Sequence, residues 1–281
     1  PELETLPWEW TLVEGEHLSI RWPVVRAPVG VSESARGHPS VRWPPRALFI
    51  GDPRGPTSPS LPGALKEVED IGRLYDAGTR TILVGGDDDE SRGAAPRRGR
   101  RRPRPATYAN VMAELRGGAY DIVHFAGHAW FDASESFLEL HDGLVWTNEL
   151  RTLLSPHPPA VLVLNSHYTA FVPPGVRTTE GAGGAAGSAG AAVNPAADPR
   201  GFVRMAGATG VGAFVGCFGT PLDEAAQHVG FTLHQRLLQG EPVAWALHRA
   251  RQAGLAFGRA RGDMTALLYT ASGYPELRVS G

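Results

Sequence analysis

Tyr120-Asp121-Ile122-Val123-His124-Phe125-Ala126-Gly127-His128 and Val161-Leu162-Val163-Leu164-Asn165-Ser166-His167-Tyr168-Thr169-Ala170 decide the fold. Each is a short apolar run that stops abruptly at small and polar residues. A parallel strand buried on both faces has this pattern where it reaches the carboxyl edge of a sheet. Ligands and chemistry gather at that edge in open α/β sheets. The first strand is expected to deliver His128 there, and the second Asn165, Ser166 and His167.

Working outward, Arg46 to Pro53 reads as a core strand that breaks at Gly51 and Pro53. Gly63 to Tyr75 reads as a helix with Leu65, Val68, Ile71 or Gly72 and Tyr75 on one face and the acids on the other. Thr79 to Val84 is a second strand, rich in β-branched residues. Thr107 is placed to cap a helix from Tyr108 to Arg116 that Gly117-Gly118 ends. Phe137-Leu140 and Leu144-Trp146 form a hairpin with Asp142-Gly143 in its turn, and Thr147 caps a helix from Asn148 to Leu154. A helix over 201–207, a strand over 210–217, and helices opening at Pro221 and Pro242 follow. Strand and helix alternate, which predicts a mainly parallel sheet with helices on both faces. Near the start, Leu18 to Val25 is expected to form one or two edge strands, because Pro23 is poorly tolerated in a central one.

The 281 residues suit one large α/β domain or two small ones. A net charge of −2 gives no global reason to expect nucleic acid as a partner. Lys66 is the only lysine, a compositional bias to which we assign no function. Cys217 is the single cysteine, so no intrachain disulfide can form, and it is expected to be buried as a small apolar residue. No stretch reaches 18 unbroken apolar residues, so no transmembrane helix and no membrane partner are expected. The chain opens at Pro1 without a secretory signal, and is expected to be a cytoplasmic piece of a longer protein.

Residues 1–45 read as an N-terminal segment of edge strands and linker, and 46–281 as the main domain. Two loops interrupt that domain. Residues 87–105 join an acidic block to an arginine-rich one. No aromatic side chains interleave with those arginines to stack on bases, so a surface loop is preferred to a nucleic-acid arm. Residues 175–199 are rich in Gly and Ala and carry too little large apolar surface to offset ordering entropy, which predicts a mobile loop.

A histidine at one strand end and a nucleophile at the next is a layout for cysteine-peptidase chemistry. The thiolate attacks the scissile carbonyl, the histidine carries the proton to the leaving amine, and backbone N–H groups hold the oxyanion. The chain resembles the CHAT domain, a caspase-like peptidase family of bacterial tetratricopeptide-associated proteins and defence effectors. The matching stretches run nearly end to end. They are Pro7-Trp8-Glu9, Leu61-Pro62-Gly63-Ala64 with Glu67, Asp121 to His128, Asp142-Gly143, and Leu162 to Ser166. Gly207-Ala208 to Gly216, Asp223 with Ala225-Ala226, Ala246 with Ala250-Arg251, and Gly273 to Leu277 complete them.

The resemblance implies a caspase-like three-layer sandwich with a mainly parallel central sheet, helices on both faces and small edge strands. It makes His128 the catalytic histidine and His124 a supporting one, with Gly127, Ala129 and Ser166 around the oxyanion. Ala129 stands where the family usually has glycine, a mild departure because the donor is the backbone N–H. The second departure matters more. The nucleophile position after Asn165-Ser166 holds His167 instead of cysteine. Imidazole cannot form a stable acyl-enzyme in this role, so thiol-peptidase chemistry is expected to be lost.

Four readings of His167 stand side by side: an inactive domain, natural or engineered; Ser166 acting instead; a metal site of His124, His128 and His167; or a different chemistry. No carboxylate or thiolate obviously converges on the three imidazoles, so no metal and no cofactor are expected. Asp132, Glu135 and Asp223 are expected in loops at the same edge, placed to pair with an arginine in a first specificity pocket or simply solvated. Thr169 either lines the cleft or caps the next turn. The implied partners are a protein or peptide substrate and an upstream sensor or activator, in a bacterial defence or cell-death setting.

Overall fold

The computed structural model describes residues 7–26, 41–53, 55, 58–85, 103–131, 135–170 and 201–279. Its centre is a six-stranded sheet built from β3 (Ala47–Gly51), β4 (Arg80–Val84), β5 (Ile122–Ala126), β9 (Val161–Asn165), β10 (Ala213–Cys217) and β11 (Tyr269–Gly273). The strand order is β11-β10-β9-β5-β3-β4. Every neighbouring pair is parallel except β10 with the closing strand β11. β4 lies on one side of β3 and β5 on the other, so the chain reverses direction of travel between β3 and β5. A crevice opens at such a switch point, outside the carboxyl ends of the strands.

The strands alternate as the period of two requires. Ile122, His124 and Ala126 of β5 face one helical layer, while Val123 and Phe125 face the other. The first layer holds α2 (Pro62–Leu74), α6 (Asp223–Leu238) and α7 (Val243–Gly258). The second holds α3 (Tyr108–Gly117), α4 (Thr147–Leu154) and α5 (Phe202–Thr209). Apolar side chains such as Val68, Val229 and Leu247 on one side, and Met112, Leu150 and Phe202 on the other, are buried against the sheet. Each such side chain stabilises the fold by about 1.5–3 kcal/mol before entropy is counted. The expected three layers are therefore present.

Local signals hold where the partner lies close in sequence. Thr107 caps α3, its Oγ1 accepting from Asn110 N at 3.3 Å. The hairpin forms from β7 (Ser136–Leu140) and β8 (Gly143–Trp146), one register step from expectation. Leu140 faces Gly143, and His141-Asp142 make the turn. β6 (Ala129–Phe131), not anticipated, pairs with β7 and makes a three-stranded sheet directly after β5.

The N-terminal expectation is corrected. Leu12–Val13 (β1) and Glu16–His17 (β2) form a minimal hairpin, and Leu18–Arg21 is a helical turn, α1, instead of an edge strand. A turn this short cannot satisfy its own carbonyls. Helix α7 supplies the partners: His248 Nδ1 lies 3.2 Å from Ser19 O, and Gln252 Nε2 donates to Ile20 O at 3.2 Å. Trp22, ahead of Pro23, is extended and ends the turn. Glu9 is wholly buried and accepts from Arg26 Nε at 3.1 Å, Arg26 Nη2 at 2.6 Å and Thr270 Oγ1. Burial opposes its charge, but these donors hold its carboxyl below the ordinary range. The Pro7-Trp8-Glu9 stretch thus fastens the N-terminal segment to β11.

The expected mobile loop at 175–199 and most of the charged loop at 87–105 lie outside the described residues. Where the chain resumes, Arg104 lines up beside Leu83 in a bridge to β4, with Val84 N donating to Arg104 O at 3.0 Å.

Candidate active site

β5 and β9 are hydrogen-bonded neighbours, with Ala126 opposite Asn165. Residues 128 and 167, each two positions past its strand, therefore emerge together. The rings of His128 and His167 have centroids 5.8 Å apart and meet at 84°. His128 is 4% exposed and His167 half-buried. Trp130, 44% exposed, lies nearly parallel to His128 in a stacked arrangement, with centroids 6.2 Å apart and planes at 9°. It meets His167 edge-on at 6.1 Å. The site is thus two imidazoles beside an indole wall.

One contact decides which nitrogen of His128 donates. Its Nε2 lies 2.8 Å from Pro59 O. A carbonyl only accepts, so Nε2 carries the proton. In the neutral ring this leaves the lone pair at Nδ1, which is buried and has no hydrogen-bond partner. His128 is held in the tautomer that a general base needs. Burial, and secondarily the neighbouring His128, push the pKa of His167 down, so this imidazole favours its neutral form.

The backbone around His167 is tightly bent. Tyr168 adopts a left-handed conformation with φ +54°, which costs a residue with a Cβ about 1–2 kcal/mol. Tyr168 N donates to Gly219 O at 3.0 Å and Ala170 N to Cys217 O at 2.7 Å, anchoring the turn to the end of β10.

Several anticipated residues serve the scaffold. Ser166 is buried and donates to Gly127 O, tying the ends of β5 and β9 together; its hydroxyl is not placed as a substitute nucleophile. Thr169 does not line the cleft. Its Oγ1 donates to Leu164 O at 2.8 Å and accepts from Cys217 N at 2.9 Å. Glu135 is likewise diverted from a substrate pocket: its Oε1 accepts from Thr147 Oγ1 at 2.7 Å and Asn148 N at 2.6 Å. It thereby caps α4, the role expected of Thr147 itself. Asp223 accepts from Gly63 N at 2.7 Å and joins the starts of α2 and α6. Ala129 opens β6. Asp132 lies outside the described residues. Glu135, Asp223, Ser166 and Thr169 each found a backbone or hydroxyl group nearby, which is a stronger draw than an empty cleft.

Alternation would give residues 124 and 128 the same face, but β5 ends at Ala126 and His128 lies beyond it at the sheet edge. His124 faces into the α2–α6 layer with Ile122 and Ala126. There it joins a buried polar chain. Tyr75 Oη is 2.8 Å from His234 Nδ1, and His234 Nε2 is 3.0 Å from His124 Nδ1. His124 Nε2 sits 3.2 Å from Glu67 Oε1, off the line of a hydrogen bond, so this link is electrostatic. Glu67 accepts from Asn165 Nδ2 at 2.7 and 2.8 Å through its two oxygens, and Tyr269 Oη donates to Asn165 Oδ1. Burial, with His124 adding to it, drives the His234 pKa well down, and burial raises that of Tyr75. Glu67 was expected on the exposed face of α2; it is buried there because Asn165 and His124 meet it. With His124 in this chain, the three-histidine metal arrangement is lost. Among the described residues, no group of three or more His, Cys, Asp or Glu side chains could hold a metal ion. Also among them, no helix is long and apolar enough to cross a membrane.

The Pro59 carbonyl, Trp130 and His234 were missed from sequence. A carbonyl has no residue-type signature. Trp130, directly after the His128-Ala129 pair, could have been flagged as a large aromatic beside a predicted strand end.

The family model of the CHAT domain matches residues 1–260. No curated protein matches the sequence. Among solved structures, the chain is similar to the crystal structure of the Arg specific cysteine proteinase gingipain R (RGPB). The two are 14% identical with a TM-score of 0.47, over 83% of this chain and 47% of that one. It is similar also to the complex of Porphyromonas gingivalis RgpB pro- and mature domains (13%, TM-score 0.45, 83% and 48%). A third similarity is to pro-sf-caspase-1 (9%, TM-score 0.39, 76% and 79%). The chain spans about half the length of the two gingipain chains.

Proposed function

The chain belongs to the CHAT domain family, and from that premise we propose that its site is a peptidase site with a disabled nucleophile position. His128 takes the general-base position. His167 stands where the attacking group belongs, so the domain binds a peptide segment of a protein without cutting it. The observation that carries this reading is the pair of rings 5.8 Å apart at the ends of adjacent parallel strands, with His128 held as its Nε2–H tautomer. Trp130 offers the exposed apolar surface against which a substrate residue packs. The chemistry restored by a thiol would be acyl transfer from the scissile carbonyl, with His128 carrying the proton to the leaving amine. The family resemblance further suggests a role as a defence or cell-death effector under control of a sensor module.

The test is His167→Cys. A peptide carrying an electrophilic group at its carboxyl end should label this variant at residue 167, with loss of labelling in His167→Cys/His128→Gln. Cleavage of a peptide library by the variant would identify the substrate class. A folded His167→Cys protein whose thiol is no more reactive than free cysteine would overturn the peptidase ancestry. It would leave a partner-binding scaffold as the reading.

A further inference from the structure

The His128 tautomer depends on a loop, and the loop has its own clamps. Pro59 lies between β3 and α2, with its carbonyl against His128 at the carboxyl end of β5. Asp52, the first residue after β3, is 2% exposed and left-handed, with φ +44°. Aspartate tolerates this conformation better than most residues. The bend turns its carboxylate back onto the segment ahead. Asp52 Oδ1 accepts from Leu61 N at 2.9 Å and Oδ2 from Ser60 Oγ at 3.0 Å, while Asp52 N donates to Ala126 O at 2.9 Å. A second buried carboxylate holds the other side. Glu139 of β7 accepts from Ser58 Oγ at 2.6 Å and from Trp130 Nε1 at 3.0 Å, both on Oε2. Gly55 rests against the same side chain so closely that a Cβ there would lie 1.8 Å from Glu139 Oε1. Ser58, Ser60 and Leu61 are thus fastened on both sides of Pro59, whose carbonyl meets His128.

We propose that Asp52 and Glu139 are positioning residues for His128: together they fix the 58–61 segment so that the Pro59 carbonyl keeps the proton on Nε2 and the lone pair on Nδ1. Neither needs to touch the ring. Hydrogen bonds to ionised groups are among the stronger ones in a protein, and several of them acting on the 58–61 segment oppose the loop's ordering entropy at the one carbonyl that matters. Glu139 also orients Trp130, the ring stacked nearly parallel to His128, so one carboxylate sets both the base and the wall beside it. This deepens the peptidase-site reading, but the tautomer can be read without any catalysis.

The experiment is long-range ¹H–¹⁵N NMR of the histidine rings in the unaltered chain at neutral pH, with His128 assigned by its loss in His128→Gln. The parent should show His128 as the Nε2–H form alone. Asp52→Ala/Glu139→Gln should show a mixture of both tautomers, with Asp70→Ala, a half-buried carboxylate of α2 bonded to Lys66, Arg73 and Gln227 and not to the 58–61 segment, as the unaffected control. Ser58→Ala/Ser60→Ala removes two arms of the clamp while leaving the carboxylates, and decides the matter if the carboxylate variant does not fold. A folded carboxylate variant, or in its absence the serine variant, that keeps a pure Nε2–H signal overturns the proposal. In the His167→Cys background, the clamp variants should lose about tenfold or more in labelling rate, as small misplacements of a catalytic group do. Failure of labelling in the parent His167→Cys with a pure tautomer would refute the peptidase reading and leave the clamp standing.

Discussion

Gly230→Ala should destabilise this protein, although the same change in a helix interior ordinarily stabilises. Gly230 lies in the middle of α6, where alanine is favoured over glycine by about 0.8–1 kcal/mol. Here a Cβ would fall 1.8 Å from Glu67 Oε1 and 2.8 Å from Glu67 Cδ, far inside the contact distance of about 3.5–4.0 Å. Glu67 is buried and has no room to swing into solvent. Its carboxylate must move off Asn165 Nδ2, which it meets at 2.7 and 2.8 Å, and off His124. Two hydrogen bonds to a buried charge are at stake at about 1.5–3 kcal/mol apiece; taken toward the lower end, because the side chain relaxes, their loss costs roughly 4 kcal/mol. Set against the helix gain, the net loss is about 3 kcal/mol. For a chain of this size that lowers the melting temperature by roughly 6–12 °C. Thermal and urea unfolding followed by circular dichroism will read it. Gly207→Ala on α5, where a Cβ meets nothing within 4 Å, is the control and should be neutral or slightly stabilising. A Gly230→Ala protein that unfolds at or above the parent temperature refutes the claim that Glu67 is held at the α2–α6 contact.

Stability should fall as pH drops below about 6.5. Burial holds His234 neutral in the fold, and burial followed by the neighbouring His128 lowers His167. The unfolded chain therefore takes up protons near 6.5 that the folded chain refuses. The sign follows from linkage: stability is complete above the unfolded pKa. It declines on acidification by up to about 1.4 kcal/mol per pH unit for the fully buried His234. Urea midpoints that stay level from pH 7 to pH 5 contradict this. Thr169→Val keeps the shape of the side chain but leaves the buried Cys217 N–H without its acceptor. It should cost about 1–3 kcal/mol, measured by the same unfolding curves; no change would show that the hydroxyl does not hold the 166–170 turn.

The parts of the site legible in sequence were those encoded by nearby residues. Two apolar runs ending in polar residues place His128 and His167 at the same sheet edge, and the observed pairing of Ala126 with Asn165 makes them neighbours. The Thr107 cap needed only Asn110, three residues away. Glu135 and Glu67 were misplaced because their partners are distant. Glu67 meets Asn165 across 98 positions, and the helical period of α2 reports only which face is apolar on average. Leu18–Arg21 was misread as strand because the donors that make a four-residue helix tenable come from His248 and Gln252 of α7.

Taken alone, the amino-acid order determined the layered α/β plan, the identity of the two facing strands and the replacement of the expected thiol by His167. Burial periodicity and residue chemistry are local properties, readable along a line. Only the tertiary structure decided which nitrogen of His128 bears its proton, because that choice belongs to the carbonyl of Pro59, 69 positions away. It also decided which carboxylates are spent on the scaffold, since a buried charge is satisfied by whatever donors the fold brings within about 3 Å, however far off they lie in the chain.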